Sequence, residues 1–330
     1  MREWLVAADD RTGAFEVAAE LALVAGPVSV TVGALPEGSG VVDLASRSMA
    51  PADAAAAAAA VDVQTCGWTA HKIDSTLRGN WAAELRARQG ALDLPIVVIA
   101  AWPAMGRTCA RGVVQVHGEP VGDVRSGLPE AQLLTIGALT AWDPEEDDVA
   151  VVDVADTAEL TAVASIAARL DVLVAGPAGA IGAVFAARDP RTLALRGGSV
   201  APQRQSSSGT LVVSGSGSAV AVEQVRRLRA ARPDIEVITT LTPKGPLVPE
   251  LAHKVAAAAR ARMAAGTVDA VVIVGGDTAA AVLGDGPRRV HGYAAAGMPW
   301  SLDAGDGGPV VITKAGGFGD PDALVELLAD

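Results

Sequence analysis

Short, continuously apolar segments alternate with helical segments along most of the chain, and this alternation constrains the fold more than any other feature. In the first half, the predicted strands are Trp4–Ala8, Val28–Val32, Val41–Leu44, Ile96–Ala100, Val149–Val154 and Val172–Ala175. The predicted helices between them are Ala14–Val24, Ala52–Ala60, Trp81–Gln89 and Thr157–Leu170. Strands that are apolar on both faces and alternate with helices indicate a parallel sheet covered by helices on both sides.

A second set of alternating elements fills the last third of the chain. Its predicted strands are Leu211–Val213, Ile235–Thr239, Ala270–Val274 and Val310–Thr313, and its predicted helices are Ala219–Ala231, Pro249–Ala265 and Asp322–Leu328. Between the two sets, from Arg188 to Gly209, lies RGGSVAPQRQSSSG, which has the Gly, Ser and Pro content typical of a linker. We therefore place a boundary near Gln205, between an N-terminal domain (1–204) and a C-terminal domain (205–330). The predicted fold class is α/β, with two lobes, each a mainly parallel sheet flanked by helices, and a cleft between them.

Composition disfavours several classes of function. The formal net charge of −12 disfavours nucleic acid, whose phosphates need cationic side chains, and it disfavours an anionic membrane surface. The two cysteines, Cys66 and Cys109, are too few for a disulfide framework or a cysteine-based zinc site. The chain shows neither a signal-peptide pattern nor an apolar run long enough to cross a bilayer. We expect a cytoplasmic protein with small-molecule partners, and a homo-oligomer stays open.

Polar residues follow the predicted strands at their carboxyl ends, where open parallel sheets bind ligands. The segment ADDRTGA places Asp9, Asp10 and Thr12 at the turn from the first strand into a helix. A helix cap needs only one such residue, and two adjacent carboxylates repel each other, so we favour a functional role. Ser46 and Arg47 follow the third strand. They are candidates mainly because they should lie at the same sheet edge as Asp9 and Asp10.

The densest polar cluster is HKIDSTLRGN, residues 71–80, which contains Lys72, Asp74, Ser75 and Arg78. A polyhydroxylated carboxylate needs this mixture, because cations bind the carboxylate and Asp or Ser side chains bind the hydroxyls. The alternative, a helix capped by Asp74 or Ser75, leaves the two cations unexplained. The segment AWPAMGRT places Arg107 on a glycine-containing turn as another candidate anion contact.

Three glycine turns in the C-terminal set have the features of a phosphate site. They lie in VVSGSGSA, VIVGGDTAAAVL and ITKAGGFGD, and their candidate nucleotide-binding residues are Ser214, Ser216, Gly275, Gly276, Asp277, Thr278, Gly316 and Gly317. Glycines let the backbone approach an anion, hydroxyls donate to it, and helix N-termini favour negative charge. The VVSGSGSA turn alone is explained about equally well by tight helix–strand packing. Three such turns at the ends of three strands favour one bound nucleotide.

These segments, in this order, resemble the four-carbon acid sugar kinases. The matching segments are ADDRTGA, SRS, HKIDSTLRGN, WPAMGRT, GPAGAIG, SGSGS, GGDTAAAVL, AGMPWSL and TKAGGFGDPDAL, from Ala8 to Leu324. The resemblance implies an N-terminal substrate domain and a C-terminal ATP-binding domain. It also implies transfer of the ATP γ-phosphoryl group to the terminal hydroxyl of a four-carbon acid such as threonate, erythronate or a 3-oxo relative.

The chain departs from the family pattern at several places. The family usually has ADDLTGA, KKIDSTLRGN, SGSCS and GGETA, and the variant residues here are Arg11, His71, Gly217 and Asp277. The chain is also shorter than is usual for the family, mainly around Gly122 to Leu128. These departures bear on the identity of the substrate more than on the kinase chemistry.

The resemblance and the clusters together predict ATP and Mg²⁺ as cofactors. Lys72, Arg78, Arg47 and Arg107 would hold the sugar acid or the phosphoryl group in transfer. Either Asp10 or Asp74 would accept the hydroxyl proton, and the sequence does not choose between them. Nucleotide phosphates and water would hold most of the Mg²⁺ coordination sphere, so its protein ligands stay unknown.

Two alternatives stay open. A sugar-acid or nucleotide sensor could keep both pockets without turnover. A nicotinamide-dependent oxidoreductase would need GxGxxG and an acidic residue at the end of the following strand. The segment after SGSGSA, IEVITTL, ends in threonine and leucine instead, which disfavours the oxidoreductase.

Overall fold

The structure, a computed structural model, describes residues 3–61, 67–145, 148–188, 209–240, 249–305 and 307–329. The chain divides into two compact units, Met1–Gly197 and Gly198–Asp330. The predicted boundary near Gln205 lies outside the described residues, as does Cys66. The boundary and the cleft between two lobes therefore stay predictions.

The first unit is built on a parallel sheet. Its strands are β1 (Leu5–Ala8), β2 (Val28–Val32), β3 (Gly40–Asp43), β4 (Thr69–Lys72), β5 (Ile96–Val98), β6 (Arg107–Ala110), β7 (Val113–Val116), β8 (Glu119–Asp123), β9 (Gln132–Leu134), β10 (Val149–Val152) and β11 (Leu173–Gly176). Its helices are α1 (Arg11–Ala25), α2 (Pro51–Ala60), α3 (Trp81–Leu92), α4 (Ile136–Thr140), α5 (Thr157–Ala167) and α6 (Ala178–Arg188). The parallel strand order is β2-β3-β1-β4-β11-β5-β10-β9.

The strand order creates a ligand-binding position next to β1. After β1 the chain adds β2 and β3 on one side of that strand, and it then crosses to add β4 on the other side. Open α/β sheets bind ligands at such a reversal, beyond the carboxyl ends of the strands. The strand β1 is apolar throughout and at most 1% exposed, so the sheet centre is rigid where the reversal occurs.

A small antiparallel sheet, β6-β7-β8, accompanies the large one. The sequence did not predict it, and Arg107 begins β6 rather than lying on a turn. The turn ends one residue earlier, at Gly106. A Cβ on Gly122 in β8 would lie 3.1 Å from Leu77 Cδ1, so β8 packs against the segment that contains the predicted substrate cluster.

The second unit has a mixed sheet. Its strands are β12 (Thr210–Ser214), β13 (Glu236–Thr239), β14 (Ala270–Val274), β15 (Arg288–Ala295), β16 (Met298–Asp303) and β17 (Val310–Lys314). Its helices are α7 (Ala219–Ala231), α8 (Pro249–Ala264), α9 (Gly276–Leu283) and α10 (Ala323–Leu327). The order is β13-β12-β14-β17-β16-β15, in which the first four strands are parallel and the last two run antiparallel to their neighbours.

Alternating side chains of β12 explain why both faces of this sheet are covered. Val212 packs with the apolar residues of α7 and α10. Leu211 and Val213 point to the other face, where they pack with apolar residues of α8 and α9. A strand buried on both faces reads as a continuous apolar run, which is the pattern seen in the sequence.

The predicted α/β class, with mainly parallel sheets flanked by helices, is confirmed. The structure adds β4, which the sequence did not predict because His71 and Lys72 interrupt its apolar pattern although both are buried. It also adds the strands β6–β9, β15 and β16 and the helices α4 and α6. Among the described residues, no helix combines the length and the apolar character needed to cross a membrane.

Candidate active site

Arg47 is the centre of a charged cluster at the carboxyl ends of β3, β1 and β4. Its Nε donates to Asp9 Oδ2 at 2.7 Å and its Nη2 donates to Asp9 Oδ1 at 2.9 Å. Its Nη1 donates to Asp10 Oδ2 at 2.8 Å, and its Nη2 lies 3.4 Å from Asp74 Oδ1. One guanidinium therefore holds three of the predicted carboxylates.

The backbone fixes the position of Arg47. The amides of Ser46 and Arg47 donate to the carbonyl of Asp9 at 3.0 and 3.2 Å, which ties the turn after β3 to the end of β1. Gly79 has a φ of +83°, and a Cβ there would lie 3.2 Å from both Arg47 Cγ and Asp9 Oδ2. A glycine satisfies both the backbone conformation and the close approach, which explains the glycine in KIDSTLRGN.

Asp74 is saturated with hydrogen bonds. It accepts from Thr76 N and Oγ1 at 3.0 and 2.5 Å and from Arg78 Nε and Nη2 at 3.0 and 2.7 Å. Burial alone would raise the pKa of Asp74, but the Arg78 hydrogen bonds and the Arg47 charge hold it well below its usual value. The alternative role of Asp74 as a helix cap is wrong, because α3 begins only at Trp81.

Asp9 and Asp10 occupy different environments although they are adjacent. Asp10 begins α1 and accepts from Gly13 N and from Thr12 Oγ1, both at 2.9 Å, so it is a helix cap and also part of the cluster. Asp9 is 0% exposed. Burial and the Asp10 charge raise the pKa of Asp9 to about 7, against the opposing effect of Arg47. The cluster can therefore hold a proton near neutral pH.

Lys72 and Glu16 extend the cluster inward. Lys72 is 3% exposed, and its Nζ donates to Ile73 O at 2.8 Å. A Cβ on Gly13 would lie 3.2 Å from this ammonium, so the glycine makes room for it. Glu16 is also buried, and burial raises its pKa to about 7 although Lys72 opposes the shift. The sequence prediction missed Glu16, because a glutamate within a predicted helix gives no local signal of burial.

The remaining predicted residues of this unit differ in accessibility. Arg107 is 6% exposed, and the charges of Glu16 and Asp74 act on it, which places it with the cluster. Ser75 is buried at the same edge. Ser46 is 0% exposed and its hydroxyl donates to Glu84 Oε1 at 2.5 Å. The Ser46 hydroxyl is therefore engaged within the protein.

In the second unit, the three predicted glycine turns contact one another at the ends of β12, β14 and β17. Gly215 N donates to Thr278 Oγ1 at 3.1 Å, and Ser218 Oγ donates to Gly316 O at 2.5 Å. A Cβ on Gly316 would overlap Ser216 Oγ. The turns therefore form one structure that requires a glycine at position 316.

This structure also presents polar groups with unused hydrogen-bonding capacity. Ser214 Oγ and Thr240 Oγ1 are buried, and neither has a hydrogen-bond partner among the described residues. Buried hydroxyls normally find a partner, and the described residues offer none to these two. Lys314 is 1% exposed at the end of β17, where its Nζ donates to Ala315 O at 2.9 Å. The sequence prediction did not include Thr240 among the candidate nucleotide-binding residues.

The outer part of the turns is held by Gln224, which the sequence prediction also missed. Its Nε2 lies 2.8–3.2 Å from the carbonyl oxygens of Phe318, Gly319 and Asp320. By contrast, Asp277 is exposed at the start of α9, and a Cβ on Gly317 would meet no atom within 4 Å. Gly276 is the first residue of α9, so its amide is one of the helix N-terminal donors without an intrahelical partner.

The hydroxyls, the three glycine turns and the helix N-termini of the second unit are groups that can bind a phosphate. Within the described ranges, no group of three His, Cys, Asp or Glu side chains could hold a metal ion. A Mg²⁺ ion that is coordinated mainly by phosphates and water fits this donor set, because it needs one or two protein ligands at most.

Known proteins are similar to this chain over part or nearly all of its length. Residues 4–127 match the family model of a sugar-binding N-terminal domain, and this range contains the Arg47 cluster. A D-threonate kinase of Bordetella bronchiseptica is 28% identical over 396 aligned positions, which cover 97% of this chain and 95% of that protein. These matches are consistent with the four-carbon acid sugar kinase family, which the sequence motifs resemble.

Two further relatives match over shorter ranges. A D-threonate kinase of Cupriavidus necator is 41% identical over 130 residues, 36% of this chain and 31% of that protein. A D-threonate kinase of Salmonella typhimurium is 30% identical over 204 residues, 49% of this chain and 48% of that protein. In these alignments the chain spans about a third and about half the length of the curated relatives.

Two solved structures share the fold of this chain. A Haemophilus influenzae protein of the family model DUF1537 superposes with a TM-score of 0.67 at 21% identity, over 98% of both chains. A Salmonella typhimurium protein described as a candidate tRNA synthase superposes with a TM-score of 0.75 at 20% identity, over 100% of this chain and 99% of that one. At these identities the likeness shows the fold alone.

Proposed function

We propose that the protein is an ATP-dependent kinase that phosphorylates the terminal hydroxyl of a four-carbon sugar acid of the threonate type. The observation that carries this proposal is the Arg47 cluster, which gathers carboxylates and cations at the strand-order reversal beside β1. The names of the relatives support the same substrate class, since three of them are D-threonate kinases.

The first unit would bind the sugar acid. Lys72, Arg78 and Arg107 would be the cations for its carboxylate. Arg78 is paired with Asp74, but its side chain is 69% exposed. Arg47 is paired with Asp9 and Asp10 and would hold these carboxylates in place. The aspartate oxygens that remain open would accept hydrogen bonds from the hydroxyls of the acid. The pKa values of Asp9 and Glu16, both about 7, let the site take up a proton when the anionic substrate arrives.

Asp10 is the better candidate for the general base. Asp74 accepts hydrogen bonds from both Thr76 and Arg78, and its lowered pKa makes it a weak proton acceptor. Asp10 accepts fewer hydrogen bonds, and its side chain is 16% exposed against 7% for Asp74. A base must be reachable by the hydroxyl that loses its proton, so Asp10 fits the role.

The second unit would hold the nucleotide. Ser214, Ser216 and Thr278 offer hydroxyls, and the turns at Gly275 and Gly316 offer backbone amides close to an anion. Gly276, Asp277 and Gly317 belong to the same turns. When bound, ATP with Mg²⁺ supplies the phosphoryl group and charge neutralisation. The protein supplies positioning, which the contacts among the three turns make rigid.

A coupled assay of ADP release tests this function. The purified protein, with Mg²⁺ and ATP, is given a panel of four-carbon acids that includes D-threonate, L-threonate and the erythronates. The proposal expects release that depends on one class of acid. Binding of acid and ATP without turnover would support a sensor instead, and nicotinamide reduction by a 2-hydroxy acid would support an oxidoreductase.

A further inference from the structure

Three polar side chains recur at four-residue intervals along one side of α3, at Asn80, Glu84 and Arg88. Residues four apart lie above one another on a helix. Glu84 and Arg88 are both 0% exposed. Burying charged groups is costly unless they are paired. The partners of this polar stripe therefore indicate its role.

The Glu84 carboxylate joins two separate segments. Its Oε1 accepts from Ser46 Oγ at 2.5 Å, and its Oε2 lies 3.0 Å from His71 Nε2. Ser46 and His71 are also 0% exposed. Burial would raise the pKa of Glu84, but the hydrogen bond from His71 and its charge hold it below the usual value. Glu84 is therefore an ionised acceptor between the turn after β3 and the strand β4.

The other two members of the stripe hold the backbone of the same two segments. Asn80 Nδ2 donates to Ser46 O at 2.9 Å and to Met49 O at 3.0 Å. Arg88 Nη1 donates to Ala70 O at 2.6 Å. The stripe thus fixes the turn after β3 at one end and β4 at the other, with Glu84 in contact with both.

We propose that Glu84 is a positioning residue of the sugar-acid site, which fixes Arg47 and Lys72 relative to each other. Arg47 directly follows Ser46, and Lys72 directly follows His71, so the carboxylate holds the neighbour of each cation. Displacement of a binding group by about 1 Å can cost on the order of 100-fold in activity. The inference rests on the proposed function, because that function assigns the carboxylate of the acid to Lys72 and its hydroxyls to the aspartates that Arg47 holds.

The residue at position 71 offers a conservative substitution. The family pattern KKIDSTLRGN has lysine where this chain has His71. A lysine ammonium can also donate to a buried carboxylate. His71→Lys should therefore keep the tie to Glu84, whereas His71→Ala should break it.

Calorimetric titration of D-threonate, and separately of ATP, into the full chain tests the inference. Glu84→Gln and His71→Ala should lower the D-threonate affinity by about tenfold or more and leave the ATP affinity unchanged. Ser46→Ala should give a smaller loss in the same direction, and His71→Lys should retain most of the affinity. Leu85→Val is the matched control. Leu85 is fully buried in the same helix, but it is not one of the residues that join the turn after β3 to β4. This variant should lower the melting temperature and leave both affinities unchanged.

Normal D-threonate affinity in folded Glu84→Gln and Ser46→Ala would overturn the inference. An equal loss in Leu85→Val would also overturn it, because generic destabilisation would then explain the effect. If Glu84→Gln does not fold, Ser46→Ala decides the question alone. A wild-type chain that binds no four-carbon acid would instead contradict the proposed function, and the inference would fall with it.

Discussion

The two units present different groups at the sheet edges to which we assign their ligands. At the carboxyl edge of the first unit, charged side chains are buried and paired, with Arg47 between Asp9, Asp10 and Asp74. At the corresponding edge of the second unit, glycine turns and hydroxyls contact one another. Lys314 is the buried cation that the described part of this edge provides.

This difference matches what each proposed ligand requires. A sugar acid presents one carboxylate and several hydroxyls, which a mixed set of cations and carboxylates can distinguish. Nucleotide phosphates carry their own counter-ion as Mg²⁺, so backbone amides and helix N-termini are sufficient. We therefore expect the first unit to respond to changes of charge and the second unit to changes of shape.

Removing the base should have the largest effect. Asp10→Asn should lower kcat by about 10²–10⁴-fold, since the amide cannot take the proton. Both ligands should still bind, because Asn also caps helices well. Asp74→Asn is the comparison, and it should weaken sugar-acid binding more than kcat. The measurement is kcat together with calorimetric affinities. Reversed results would transfer the role to Asp74, and near-normal kcat in both would leave catalysis to positioning and charge alone.

Removing the central guanidinium should have the next largest effect. Arg47→Ala leaves Asp9 buried without its partner, so the free energy of unfolding should fall by about 3–5 kcal/mol at neutral pH and above. The loss should shrink at about pH 5.5, where Asp9 is protonated and uncharged. Urea titrations at both pH values provide the measurement. Arg47→Lys should be intermediate, since lysine keeps the charge but not the two-pronged contact. A pH-independent loss would contradict the account.

The sequence predicted the location of this cluster because motif residues directly follow strands. Asp9 and Asp10 follow an apolar strand, and parallel strands end at one edge. It could not predict that Arg47 would be the shared partner, because that depends on the order of β3, β1 and β4 in the sheet. It missed Glu16 for a similar reason: a glutamate inside a helix is usually solvated, and only the folded structure shows that nearly all of α1 is buried, Glu16 included.

The glycine turns were recognised in the sequence, but their mutual contacts were not. Ser218 reaches Gly316 across 98 residues of sequence, and no local pattern reports such a contact. Likewise, the strands of the sheet β6-β7-β8 are short, and their polar residues obscure any alternation of apolar and polar positions in the sequence. Arg107 was therefore assigned to a turn.

A shape change in the second unit should have an intermediate effect. In Gly316→Ala, the new Cβ overlaps Ser216 Oγ, and overpacking of this kind costs about 1–3 kcal/mol. We expect the free energy of unfolding to fall by that amount, and ATP affinity to fall because Ser216 and its turn are displaced, while D-threonate affinity is unchanged. Gly286→Ala is the matched control, since a Cβ there meets no atom within 4 Å. Equal losses in the two variants, measured by calorimetry, would contradict the comparison.

The smallest effect should come from the buried carboxyl group of Glu16. Its pKa of about 7 is raised above the unfolded value of 4.5, so the folded chain holds a proton that the unfolded chain releases. The associated stability is present below about pH 4.5 and is lost as the pH rises to about 7. Glu16→Gln should reduce the slope of unfolding free energy against pH by up to about 1.4 kcal/mol per pH unit.

Urea titrations between about pH 5 and pH 7 measure this slope. An unaltered slope in Glu16→Gln would mean that Glu16 is ionised in the folded chain, and that the cluster has one fewer group able to take up a proton.

The central claim is the transfer of a phosphoryl group to the terminal hydroxyl of a four-carbon acid. Its most direct test is ³¹P NMR of the product formed from D-threonate, ATP and Mg²⁺ with the full chain. The account predicts a new phosphate ester whose phosphorus couples to the two protons of the terminal CH₂ group, in an amount equal to the ADP formed. An ester on another carbon, or ADP and inorganic phosphate without any ester, would contradict it.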